Sequence, residues 1–165
     1  MKKKNVALLT CFLDNYGACL QALALQKSIE NLGIDCDIIA YIEPAGYCKE
    51  DFSTSFKERI RENIWVLLKI LEKKKSYEKH VLHHAFKRYR NSYLKFECIG
   101  NSKEVKTYCS FEELESLSET YDAFVCGSDQ IWNPTLYAQN NPAYFLRFAG
   151  DKKRIAYAPS IGLPE

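Results

Sequence analysis

The spacing of apolar residues changes character several times along the chain. Asn5–Cys11 is a nearly continuous apolar run of strand length, which predicts a strand covered on both faces, as in a parallel sheet. From about Gly17 to Leu32 the apolar positions become helical: Ala18, Ala22, Leu25, Ile29 and Leu32. Ala18 and Ala22 are small enough to let the first turns lie close to a sheet, and Gly33 follows as a C′ glycine. The run CDIIAYI at 36–42 then predicts a second strand. Strand, helix and strand in this length form a βαβ unit with a right-handed crossover.

Glu43-Pro44-Ala45-Gly46 interrupts the pattern. Phe56, Ile60, Ile64, Leu67 and Leu71 predict a helix ended by Lys73–Lys75, and Leu82, Phe86, Tyr89 and Tyr93 predict another. Together they make a helical hairpin. Residues 96–109 read as loop with a short strand near Val105–Tyr108. Ser110 with Glu113 forms a capping box for the short helix SFEELESL. AFVCG at 123–127 and RIAYAPS at 154–160 predict two further core strands, with YFLRF at 144–148 a short helix or strand. The expected fold is α/β: a Rossmann-like open, mostly parallel sheet with helices on both faces. One domain spans 1–165, with 53–95 as a helical insertion.

Charge changes this picture in one place. Residues 57–95 hold twelve Lys and Arg against four Glu, a net +8, so the rest of the chain carries −6 of the overall +2. The hairpin is therefore basic. A solvated face explains it; weak association with an anionic membrane or carrier is the alternative. Its aromatics sit at core spacing and are not interleaved for base stacking, so nucleic acid is not expected. His80, His83 and His84 lie on the same hairpin without a neighbouring carboxylate or cysteine ligand, so no metal site is expected. The seven cysteines form no Cys-x-x-Cys pair and read as free thiols serving as small hydrophobes in a reducing cytoplasm. MKKK followed by VALLTCFL lacks a cleavage site, and no run reaches membrane-spanning length, so a soluble cytoplasmic chain is expected.

In an open parallel sheet, ligands bind outside the carboxyl ends of the strands. Three segments fall there. Asp14, Asn15, Tyr16 and Gly17 precede the first helix. Asp14 or Asn15 can cap it, while the first-turn N–H groups could instead hold a phosphate or carboxylate. Gly127, Ser128, Asp129, Gln130, Trp132 and Asn133 crowd hydrogen-bonding groups beside a flat ring suited to a sugar face. A polar turn closed by Asn-Pro is the bland alternative. Ser160 and Gly162 end the last strand, and a strand-terminating turn explains them; no nucleophile elbow is implied.

Taken together, NYGACLQALALQ, YDAFVCGSDQIWNP and YFLRF…KKRIAYAPSIG resemble the polysaccharide pyruvyl transferase family in order and spacing. The resemblance covers most of the chain and reaches the N-terminal half of the family's usual domain. It implies a fold similar to one half of a two-domain GT-B-type enzyme. It also implies a reaction: a pyruvyl (enolpyruvyl) group passes from phosphoenolpyruvate to a sugar hydroxyl of a cell-envelope polysaccharide precursor, with no cofactor. Asp14, Asn15, Tyr16, Gly17, Gly127, Ser128, Gln130, Trp132, Asn133 and Ser160 then become ligand-binding candidates, and Asp129 a catalytic one. The partners implied are phosphoenolpyruvate, a glycan acceptor and a second Rossmann-like half. Basic residues gripping the donor would lie mainly in that second half, so residues 1–165 alone are expected to be inactive. A non-catalytic sugar- or nucleotide-binding module, or a basic interaction protein using 57–95, are the rival readings.

Overall fold

The computed structural model of the chain describes residues 4–12, 15–42, 74–134 and 141–162. The helix expected at 56–71, and with it the hairpin, lies outside the described residues, as do Asp14 and Cys48.

Four parallel strands make the main sheet: β1 (Asn5–Leu9), β2 (Asp35–Ile38), β5 (Ala123–Asp129) and β6 (Lys153–Pro159), in the order β2-β1-β5-β6. β1 is central, and Val6 through Leu9 are all buried, as a strand covered on both faces requires. The expected second strand is split. β2 ends at Ile38, and β3 (Ala40–Tyr41) leaves to pair in parallel with β4 (Thr107–Tyr108) in a separate two-stranded sheet. The chain thus runs from β1 outward to β2, then returns to β5 on the other side of β1. The gap between the carboxyl ends of β1 and β5 is the topological switch point, where such sheets bind ligands.

Helix α1 (Tyr16–Asn31) crosses from β1 to β2 and packs Ala22 and Leu25 on the face bearing Val6, Leu8 and Val125, with Ala18 also buried. Its phase differs from the expected stripe at the far end: Leu32 is 76% exposed, while Cys19 and Gln26 are buried. Gln26 is hidden at no cost in unmade bonds. Its Nε2 donates to the carbonyls of Cys36 (3.0 Å) and Lys95 (2.7 Å), and its Oε1 accepts from Lys95 N (3.0 Å). Gly33, at φ 79, closes the helix, its N–H reaching the Glu30 carbonyl at 2.9 Å.

Helix α2 (Lys74–Tyr93) begins within the lysine run that was expected to end the preceding helix, and buries Phe86 and Arg90. The opposite face of the sheet is covered by α3 (Phe111–Glu115), α4 (Leu117–Thr120) and a 3-10 turn at Arg147–Ala149. Leu114, Leu117, Tyr121 and Phe148 pack there against Ala7, Leu9, Phe124 and Cys126. The capping box of α3 is modified: Glu113 N donates to Ser110 Oγ (3.2 Å), but the Glu113 carboxylate accepts from Cys109 N (2.6 Å). YFLRF is turn and 3-10 helix, with Leu146 in the left-handed region.

The strand expected at 154–160 forms as β6 but is not a core strand. It bonds to β5 on one side, and Lys153 through Ala158 are all exposed. No described helix covers either face of it.

None of the six described cysteines is in a disulfide. Burial pushes the Cys36 thiol up to about 12, helped by the Asp37 carboxylate, and pushes Cys126 up to about 11. Both behave as small hydrophobes at neutral pH, as expected. No described helix is long and apolar enough to cross a membrane, and the described residues hold no cluster of three or more metal-ligating side chains.

Candidate functional site at the strand ends

Because β1, β5 and β6 are parallel neighbours, their carboxyl ends share one edge of the sheet. The three segments singled out in the sequence therefore lie along that edge, and hydrogen bonds tie two of them directly. Ser160 N donates to the Asp129 carbonyl (2.9 Å), and Trp132 N donates to the Ser160 carbonyl (3.3 Å). Gly162, at φ 67, passes over the side chains of Gln130 and Asn133, which bond to each other through Asn133 Nδ2 and Gln130 Oε1 at 2.9 Å. A methyl group added at Gly162 would overlap Gln130 Oε1 and crowd Asn133, and the positive φ itself favours glycine there.

Gly127 answers a similar constraint. Its φ is 121, and an added Cβ would overlap the Tyr157 carbonyl of β6. Beyond it the backbone turns sharply. Asp129 adopts φ 77, where non-glycine residues are rare and Asp is among the tolerated few. Its Oδ1 accepts from Gln130 N at 2.8 Å, the local bond that makes Asp suited to this conformation. Asp129 and Gln130 are exposed, Ser128 is half-buried and Asn133 is buried. Trp132 is partly buried. Its Nε1 donates to the Tyr144 carbonyl (3.0 Å), and its ring stacks on the exposed Phe145, with centroids 5.4 Å apart and planes 18° from parallel. That wall is therefore a Trp132–Phe145 pair rather than a lone indole.

At the first segment the capping interpretation of Asn15 holds. Its Oδ1 accepts from Gly17 N (2.8 Å) and Ala18 N (3.4 Å), so it takes up two first-turn N–H groups. Tyr16 is 64% exposed, and its ring packs on Phe86 of α2 at 4.5 Å between centroids. The α1 start is thus braced by α2, a contact that nothing in local sequence announced.

Sequence reasoning missed the residue that joins the end of β1 to the second segment. Gln21, on the second turn of α1, reaches back to the end of β1, where its Nε2 donates to Thr10 Oγ1 (2.9 Å) and to the Cys11 carbonyl (2.8 Å). Its Oε1 bonds the Ser128 hydroxyl at the end of β5. The bridge spans the switch point. A polar residue on an otherwise apolar helix face, one turn past a cap, is the signal that could have found it.

The chain is thus an α/β domain with a mostly parallel sheet, in which a braced helix start, a glycine-permitted polar turn and a half-buried amide bridge lie at the strand ends, the edge where sheets of this class take up ligands. The family profile for polysaccharide pyruvyl transferase matches residues 15–165, and the chain belongs to that family, a family of transferases in polysaccharide synthesis. No curated protein and no solved structure matches the chain.

Proposed function

We propose that this chain is the N-terminal part of an enzyme that transfers a pyruvyl (enolpyruvyl) group from phosphoenolpyruvate to a sugar hydroxyl of a cell-envelope polysaccharide precursor in the cytoplasm. The observation that carries the reading is the gathering of the three strand-end segments along one edge of the sheet in a member of this family. The described part of that gathering is Asn15 to Gly17, Gly127 to Asn133, and Ser160 to Gly162.

The chemistry requires three things: a group that protonates the enol CH2, cations or oriented N–H groups that hold the donor's phosphate and carboxylate, and an oriented hydroxyl that meets the oxocarbenium-like carbon. Asp129 is the candidate for proton movement, being a carboxyl held in a fixed, strained turn at the exposed edge. Tyr16, Gly17, Gly127, Ser128, Gln130, Trp132, Asn133 and Ser160 are the candidate ligand contacts, with Asp14 beside them in the sequence. The described strand ends present polar neutral groups and a carboxylate rather than a cluster of cations. The donor's anionic groups would accordingly be held by a second Rossmann-like half closing over this one, as in GT-B-type enzymes. A cleft with two walls also excludes water from the reacting carbon.

The test is phosphate release from phosphoenolpyruvate with a panel of glycan acceptors, using residues 1–165 alone and the whole reading frame that contains them. We expect acceptor-dependent release from the whole and none from residues 1–165. No release from the whole with any acceptor would overturn the transferase reading and favour a binding module.

A further inference from the structure

The Gln21 bridge has a fixed polarity. A carbonyl oxygen only accepts hydrogen bonds, so the 2.8 Å contact with Cys11 O identifies the Gln21 atom there as Nε2. The amide cannot be flipped without setting two acceptors against each other. Oε1 therefore points at Ser128, and because Oε1 only accepts, the Ser128 hydroxyl is the donor. A serine hydroxyl carries a single hydrogen. With that hydrogen committed to Gln21, Ser128 faces the edge of the sheet with lone pairs alone.

We propose that Gln21 is a positioning residue that makes Ser128 an acceptor-only group, so that the ligand group received at this switch point is a hydroxyl of a polyol such as a sugar, and not a phosphate or carboxylate. Two neighbours point the same way. Asn15 already occupies the Gly17 and Ala18 N–H groups, which would otherwise be offered to an anion at the start of α1. Asp129, next in the chain to Ser128, is an exposed carboxylate that repels anions and accepts from hydroxyls. Thr10, the third partner of Gln21, is buried, so the bridge is anchored in the core rather than free to rearrange. Naming the hydroxyl as the acceptor sugar's rests on the transferase reading; the acceptor-only character of Ser128 does not.

The test is binding to residues 1–165, followed by NMR shifts of the Gly127–Gln130 amides. The probes are inorganic phosphate, phosphoenolpyruvate, and the neutral methyl glycosides of glucose, galactose, mannose and N-acetylglucosamine. We expect at least one glycoside to bind, and Ser128→Ala to weaken it about fivefold or more while leaving phosphate and phosphoenolpyruvate unchanged. Gln21→Met releases the Ser128 hydrogen. It should raise phosphate affinity severalfold, and the added Ser128→Ala substitution should remove the gain. A merely structural glutamine would move both affinities in the same direction. Should Gln21→Met not fold, the Ser128→Ala comparison decides alone.

Phosphate or phosphoenolpyruvate binding that weakens with Ser128→Ala overturns the inference and leaves the transferase reading standing. Ser128-dependent glycoside binding, without phosphate release by the whole protein, does the reverse. Failure of every neutral glycoside to bind overturns the inference.

Discussion

β5 and β6 are adjacent parallel strands with similar apolar sequences, AFVCG and RIAYAP, yet one is buried from Phe124 to Gly127 and the other is open on both faces. The register makes the contrast residue by residue. Val125 is buried and its partner Ile155 is 38% exposed; Cys126 is buried and its partner Ala156 is exposed. Apolar character in a parallel strand states what the strand can tolerate around it. What it obtains depends on the helices. α1 lies over β1, β2 and β5, and α3, α4 and the 3-10 turn lie over the other face as far as Phe124 and Cys126. No described helix covers β6, whose residues Lys153–Ala158 are exposed. The site sits on the border between these regions: Gln21 and Ser128 belong to the covered side, Ser160 and Gly162 to the open one.

The largest expected difference is in stability. Phe124 is fully buried, with its ring edge-on to Phe148 at 5.2 Å and to Tyr121 at 6.1 Å. Phe124→Ala should cost about 3–5 kcal/mol by urea denaturation. Ile155→Ala, one residue away across the ladder, should cost less than about 1 kcal/mol because most of its burial is already missing. Equal losses would break the comparison and mean that β6 is covered in solution.

The next effect is in alkali, and it reads the covered region alone. Cys36 and Cys126 have thiols raised from an ordinary 9.0 to about 12 and about 11, by burial first and, for Cys36, then by Asp37. Burial, followed by a carboxylate partner (Glu97 for Tyr108, Asp37 for Tyr121), also raises those two phenols. For groups raised in the folded state, the stabilisation is complete below the unfolded value and is lost as pH climbs toward the folded one. Above pH 9 the unfolded chain releases these protons first, so stability should fall by up to about 1.4 kcal/mol per pH unit for each thiol. Urea midpoints of wild type and Cys36→Ala between pH 9 and about pH 10.5 check this; the variant's curve should be flatter. Parallel curves would place the loss elsewhere.

What the sequence disclosed follows the same border. The strands, the βαβ unit, the Asn15 cap, the Ser110 cap and the gathering of three strand-end segments were all legible, because each rests on local periodicity or turn chemistry. The splitting of 36–42 into β2 and β3 was not, since a continuous apolar run carries no mark of where a strand changes sheets. Gln21 and Gln26 were not, because a glutamine within a helix is ordinarily solvated. Only tertiary structure shows Gln26 tied to Cys36 and Lys95, and Gln21 tied to Thr10, Cys11 and Ser128. The openness of β6 was hidden for the same reason: RIAYAPS reads as interior, and burial is decided by elements that lie elsewhere in the chain.

The smallest expected change in stability is the one that sharpens the comparison most. Ile155 and Tyr157 project from β6 on the α1 side of the sheet, where Val125 is covered and they are not; Tyr157 is 57% exposed. An apolar strand at a sheet edge offers unpaired backbone groups and bare side chains together, the combination that templates association between chains. Ile155→Glu with Tyr157→Glu replaces apolar surface by charge without removing buried contacts. It should therefore shift stability by no more than about 0.5 kcal/mol, while lowering concentration-dependent association of residues 1–165 in sedimentation velocity. The corresponding charge in the covered strand, Val125→Glu, would bury an unpaired carboxylate and should unfold the domain. If Ile155→Glu unfolds it as well, β6 is an interior strand in solution, covered by another part of the molecule or by a second copy, and the border through the site is a border between two packed layers.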